Sequence, residues 1–103
     1  MIARGDVCIA DIPGVGPHPV VVVTRDIAVP VLASVVCVLV TTAVRGHVAE
    51  VQVGRDEGLG KESAANCDNL FTLPKSTLHR VGRLGPAKLY ELNGALAIAL
   101  GLR

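Results

Sequence analysis

The sequence predicts a mainly β domain of the α+β class, a valine-rich sheet carrying one C-terminal helix. Three observations point there. Several short apolar runs are rich in β-branched side chains and bounded by Gly, Pro and charged residues. Half of the residues are hydrophobic, yet Phe71 and Tyr90 are the only aromatics and tryptophan is absent. The core must therefore be built from Val, Leu, Ile and Ala, and the dominance of valine favours sheet. After the last run, Leu89, Leu92, Leu96 and Ala99 recur at helical spacing. At 103 residues the chain is one domain, 1–103, large enough for a single core and small enough to gain from burial against a partner.

The central strand is expected within Val35 to Gly46, where six apolar residues run without a break into Thr41 and Thr42, followed shortly by Arg45 and Gly46. Such a run reads as a strand buried on both faces, and it is too short to cross a bilayer. The segment from Arg4 to Ile12 opens with a turn signal and then alternates, with Val7, Ile9 and Asp11 on one face and Cys8, Ala10 and Ile12 on the other. The stretch 13–19 is dense in Pro and Gly and reads as a loop ending near His18. Val20 to Thr24 is a second buried strand, and 27–33, with Pro30 inside, is a loop. In 48–53, Ala49, Val51 and Val53 should face the core, with Val48, Glu50 and Gln52 on the other side. The charged, glycine-rich stretch 54–62 reads as a solvated hairpin connection. A further strand-like segment, 63–73, is followed by a turn or one helical turn at 74–78 and a short last strand over 79–84. Pro86 then stands at the favoured first position of a helix that Gly101 should stop. Gly94 within it costs roughly 1 kcal/mol relative to alanine, so the helix depends on packing its apolar stripe against the sheet.

The polar residues among these runs supply the candidate site. Thr41, Thr42 and Arg45 sit where a rigid strand meets a loop, a place suited to gripping phosphate, although β-propensity alone also accounts for threonine at a strand end. His18, held between Pro17 and Pro19, is either a fixed acid or base near neutral pH or a solvent-facing loop residue without a task. Arg25 ends the second strand as a possible phosphate ligand, with a local ion pair to Asp26 as the simpler account. Asn66, Asp68 and Asn69 interrupt an apolar segment. They either stitch a bend, the reading that their spacing favours, or face a groove and hydrogen-bond a ligand.

Composition narrows the function. The net charge of +1 argues against a broad basic surface for long nucleic acid, so any nucleic-acid site must be local. Cys8, Cys37 and Cys67 are odd in number, far apart and embedded in apolar segments, which reads as buried reduced thiols. With His18, His47 and His79 dispersed as well, neither a metal site nor a cofactor is expected. The start Met-Ile-Ala-Arg-Gly-Asp lacks the apolar region of a signal peptide, so the expected location is cytoplasmic, with no membrane partner.

Taken in order, Arg4-Gly-Asp-Val, His18-Pro-Val-Val-Val-Val-Thr-Arg-Asp26, Val40-Thr-Thr, Arg45-Gly, Ala65-Asn-Cys-Asp-Asn69 and Arg80-Val-Gly-Arg-Leu84 resemble the MazF/PemK toxins of bacterial toxin–antitoxin pairs over nearly the whole chain. The resemblance implies an SH3-like antiparallel barrel (CcdB/PemK-like) with a C-terminal helix. It also implies a homodimer, a MazE-like cognate antitoxin, and a metal-independent, sequence-specific endoribonuclease that leaves 2′,3′-cyclic phosphate and 5′-hydroxyl ends on single-stranded RNA, inhibiting translation and growth. Thr41 matches the family's catalytic threonine, Asp68 and Asn69 match positions that contact RNA bases, and Arg25 matches a strand-end position that approaches RNA. Arg45 joins them on its charge and place. The family's arginine before the proline of the second strand is here His18, which can also serve as a general acid or base. The first loop is shorter than in many members and lacks their Ser/His-Glu-Gln segment.

Two other classes share this barrel. CcdB-like toxins bind gyrase without catalysis, but they use a tryptophan near the C-terminus, where this chain ends Leu-Gly-Leu-Arg. SH3-like binding modules line their grooves with aromatics, of which there are too few here.

Overall fold

The structure is a computed structural model and describes residues 1–102. The described residues form six strands and one α-helix: β1 (Asp6–Ile12), β2 (Gly16–Val22), β3 (Ser34–Thr41), β4 (Glu50–Val53), β5 (Ser63–Pro74), β6 (Leu78–Arg83) and α1 (Pro86–Ala99). All pair antiparallel in one sheet of order β4-β5-β3-β2-β1-β6. The mainly β, barrel-like fold with a C-terminal helix is therefore as the sequence predicts.

The two-residue period of a strand explains why the apolar runs are continuous. Val7, Val21, Val38 and Val40 point to one side of the sheet, where they meet Val51, Val53 and the helix residues Leu92 and Ala95. Their neighbours Cys8, Val20, Val22, Val35 and Cys37 point to the other side and form a second cluster with Val29, Leu73 and Leu78. Each central strand thus feeds two apolar layers. Ala49, Val51 and Val53 are buried and Val48 is exposed, as their alternation indicates.

The sheet curls until its two ends meet. After β4 the chain makes a 3-10 turn (Arg55–Glu57) whose backbone lies directly on β6. A Cβ on Gly58 would strike the Val81 carbonyl oxygen, and one on Gly82 would strike the carbonyl oxygen of Glu57. Two glycines facing each other let the backbones touch, closing the gap between the edge strands. This corrects the solvated-connection reading of 54–62. Glu57 is buried, with Oε1 accepting the Gly54 amide at 2.7 Å, and Leu59 joins the core.

Two further differences follow from backbone chemistry. Residues 16–19 belong to β2 rather than to a loop, leaving a turn at 13–15. Pro17 and Pro19 pair with Asp11 and Ile9 of β1. Two residues apart, they fall on the same side of the strand, and β3 pairs β2 only along Val20–Val22. Proline is tolerated where no ladder amide is required. The helix is also apolar beyond its predicted stripe. Leu92 and Ala95 are buried and Leu89, Leu96 and Ala99 pack beside them, but Tyr90 and Ile98 are exposed. It ends at Gly101, whose φ of +70° needs glycine and whose amide bonds the Ile98 carbonyl at 3.1 Å.

Candidate active site

Where β2, β3, β4 and β5 come together, an open cavity of about 220 Å3 is lined by His18, Thr41, Ala43, Arg45, Glu50, Asn66 and Asn69, with Leu39 and Val40 as its floor. Five of the eight sequence candidates, His18, Thr41, Arg45, Asn66 and Asn69, are brought together here. Thr42 and Asp68 are exposed beside it without lining it. Arg25 stands beyond the C-terminal end of β2, opposite the end that carries His18. Its carbonyl accepts the Ala28 and Val29 amides. The simple pairing with Asp26 is not formed among the described residues: Asp26 accepts the Arg4 amide at 2.9 Å instead.

The end of the β2–β3 ladder shapes the cavity. The last pair is Val20 with Leu39, and extending the register by two residues sets His18 opposite Thr41. The ladder cannot continue, because Pro19 and Pro17 have no amide hydrogen. The imidazole of His18 takes the vacant bond instead, with Nε2 2.9 Å from the Val40 carbonyl oxygen. A carbonyl only accepts, so Nε2 carries the hydrogen and Nδ1 is the nitrogen left to exchange a proton. The Thr41 Oγ1 accepts the Ala43 amide at 3.0 Å, which turns the chain after β3 and leaves the hydroxyl hydrogen free to donate.

On the opposite wall, β5 carries three residues more than β3 can match. Val38 pairs Leu70 while Leu39 pairs Asn66, so Cys67, Asp68 and Asn69 bulge. The bend reading holds for Asn66, and the cluster also borders the cavity. Asn66 stitches the bend, its Oδ1 accepting the Asp68 amide at 3.1 Å, and Asn66 and Asn69 face the cavity. Cys67 turns inward to the core.

Sequence reasoning missed Glu50. It pairs with Asn66 at the start of β4, and its side chain is only 4% exposed. Oε1 accepts the Arg45 amide at 3.1 Å and the Gly46 amide at 2.7 Å, and Oε2 lies 3.4 Å from His47 Nε2. The alternation of 48–53 assigns Glu50 to the solvent face. The one available signal is the Arg45-Gly46 turn just upstream, which folds its amides back toward β4.

All three thiols are buried and unpaired by disulfides. Burial pushes Cys8 up to about 11, with Asp6 adding to the shift, and Cys37 up to about 12, with Cys8 adding to it. Cys67 is pushed up to about 11 by burial and then Asp68. No helix among the described residues is long and apolar enough to cross a membrane.

A small curled antiparallel sheet with a C-terminal helix, presenting at a strand end a polar cavity lined by His18, Thr41 and Arg45, defines a small barrel protein of the α+β class. Residues 3–100 match the family described as the PemK-like, MazF-like toxin of type II toxin–antitoxin systems, and the chain belongs to that family. It is 36% identical over 100 residues to the probable endoribonuclease MazF2 of Mycobacterium tuberculosis, covering 95% of this chain and 97% of that one. Among solved structures it resembles the Mycobacterium tuberculosis toxin MazF-mt6 with a TM-score of 0.87 and 32% identity, over 95% of this chain and 98% of the other. It also resembles a mycobacterial endoribonuclease in complex with its cognate antitoxin, with a TM-score of 0.89 and 35% identity over 100% and 98% of the two chains.

Proposed function

We propose that this protein is the toxin of a toxin–antitoxin pair and an endoribonuclease that cuts single-stranded RNA at specific sequences, without a metal, to leave 2′,3′-cyclic phosphate and 5′-hydroxyl ends. The observation that carries the reading is the convergence of His18, Thr41, Arg45, Asn66 and Asn69 on one cavity in a chain of this family.

The chemistry follows from the groups present. His18 Nδ1 takes the proton of the ribose 2′-hydroxyl as that oxygen attacks phosphorus. The Thr41 hydroxyl donates to a non-bridging oxygen of the phosphorane, and the Arg45 guanidinium offsets its charge. The O2′–P bond forms, the P–O5′ bond breaks, and O5′, leaving on the far side of phosphorus, takes a proton from water at the cavity mouth, the hydroxide so formed being neutralised by the proton that His18 then releases. Asn66 and Asn69 read base edges by hydrogen bonding, since an open cavity without aromatics offers little stacking. Thr42, Asp68 and Arg25 contact the strand outside the cavity. Cutting messages in the cytoplasm would stop translation and growth.

A homodimer and an antitoxin complete the assembly. Ile27, Val31, Leu32 and Tyr90 are exposed, apolar surface that burial against a second copy of the chain would remove from water. A relative of the same fold is described as in complex with its cognate antitoxin.

The test is incubation of the purified protein with a long single-stranded RNA in EDTA, with the cut ends mapped. Discrete cuts bearing 5′-hydroxyls are expected. Intact RNA contradicts the reading and favours a toxin that acts by binding alone.

A further inference from the structure

We propose that Glu50 is a positioning residue: its buried carboxylate holds the 45–47 loop in the one shape that presents the Arg45 guanidinium at the cavity, an inference that rests on the proposed RNA-cutting role of that cavity. The loop has no strand partner of its own, running from the end of β3 to the start of β4. Its middle, the Arg45 and Gly46 amides, is held by a single side chain. Glu50 Oε1 takes the Arg45 and Gly46 amides at 3.1 and 2.7 Å, and Gly46 adopts a φ of +72° that turns successive amides toward one point. Such paired amides form an anion-binding concavity, and here the anion is the protein's own carboxylate.

His47 completes the clamp from the other side. Its Nδ1 accepts the Ala49 amide at 3.2 Å, so Nε2 carries the hydrogen and faces Glu50 Oε2 at 3.4 Å. With two amides and an imidazole N–H around it, the carboxylate is occupied. A bare carboxylate on this wall would repel a phosphate. A satisfied one instead fixes the backbone from which Arg45 reaches in, and among the described residues no carboxylate forms an ion pair with that guanidinium. Glu50 also pairs across the sheet with Asn66, so the clamp is anchored to the strand that carries the opposite wall.

The experiment is a double-mutant cycle on RNA cleavage joined to amide exchange. Because Arg45 both meets the phosphate and offsets the phosphorane charge, Glu50→Ala is expected to lower kcat/KM by about ten- to a hundredfold, with kcat falling as well as KM rising, and to have no further effect in an Arg45→Ala background. Glu50→Gln, whose carbonyl can still accept both amides but whose NH2 meets the His47 Nε2–H, is expected to fall between wild type and Glu50→Ala. Equal losses from Glu50→Ala in both backgrounds would show a general structural role and overturn the proposal. Exchange of the Arg45 and Gly46 amides is read separately, and both are expected to exchange faster in Glu50→Ala while the strands are unchanged. Amides that keep their protection would overturn it. Exchange does not depend on activity, so a wild-type protein that leaves RNA intact refutes the functional reading while exchange still decides whether Glu50 holds the loop.

Discussion

His18 bonds the Val40 carbonyl through Nε2 at 2.9 Å, at the point where two prolines stop the β2–β3 ladder. The side chain replaces a missing backbone bond, and that fixes both its tautomer and its place opposite Thr41. Removing it should cost chemistry far more than stability. His18→Ala is expected to slow RNA cleavage by about 10²–10⁴-fold while lowering unfolding free energy by only about 1 kcal/mol. Initial rates and urea unfolding measure the two, and full cleavage by the variant would remove His18 from the mechanism.

Arg45 is the cavity's cation, and its contribution should be visible in the salt dependence. Replacing it by alanine is expected to weaken RNA binding and to flatten the slope of log affinity against log salt by roughly 0.7, the value for one phosphate of a single strand. Titration of a non-cleavable oligonucleotide at several salt concentrations checks this. An unchanged slope would mean that Arg45 meets no phosphate.

The barrel closes through Gly58 and Gly82, where backbone lies on backbone. Gly82→Ala should destabilise the fold by about 1–3 kcal/mol through overpacking. Gly58→Ala adds a left-handed penalty at φ +91° for a total of roughly 2–5 kcal/mol. Gly60→Ala, where a Cβ meets open space, serves as control and should stay within about 0.5 kcal/mol.

The thiols predict an alkaline limit. Each is neutral when folded up to about pH 11 or 12, against an ordinary value of 9.0, so between these values the unfolded chain holds fewer protons than the folded one. Stability is therefore unaffected by these groups below pH 9 and falls as the pH rises above it. Urea midpoints from pH 7 to 10.5 should show a plateau followed by a decline. In the same buffers a thiol reagent should label none of the three cysteines in the folded protein at pH 8 and all of them in urea.

How much of this was legible in the sequence depends on what each signal reports. Period-two alternation placed β1 and the core face of 49–53, and helical spacing placed α1, because burial in each case follows a single local geometry. The Pro-His-Pro segment misled, since proline is barred only from ladder positions and the sequence does not say which side of a strand lacks a partner. The bulge in β5 left two readings open because register is set by pairing with β3, a tertiary property. Glu50 and Glu57 looked solvated as charges on polar stretches, yet both are held by amides that a turn brings back to them. Thr41 and His18 could be picked out separately, whereas their shared cavity depends on where the ladder stops.

The most direct measurement maps the cut site on a defined RNA in EDTA and repeats the digestion with a single 2′-deoxy substitution at that nucleotide, and again with Thr41→Ala on the unmodified strand. The cavity mechanism predicts that the wild-type protein cuts the all-ribose strand to a 5′-hydroxyl end, that the deoxy strand stays intact at that site, and that the variant is slowed at least about 100-fold. Cleavage of the deoxy strand at the same place, or an undiminished rate with Thr41→Ala, would contradict it.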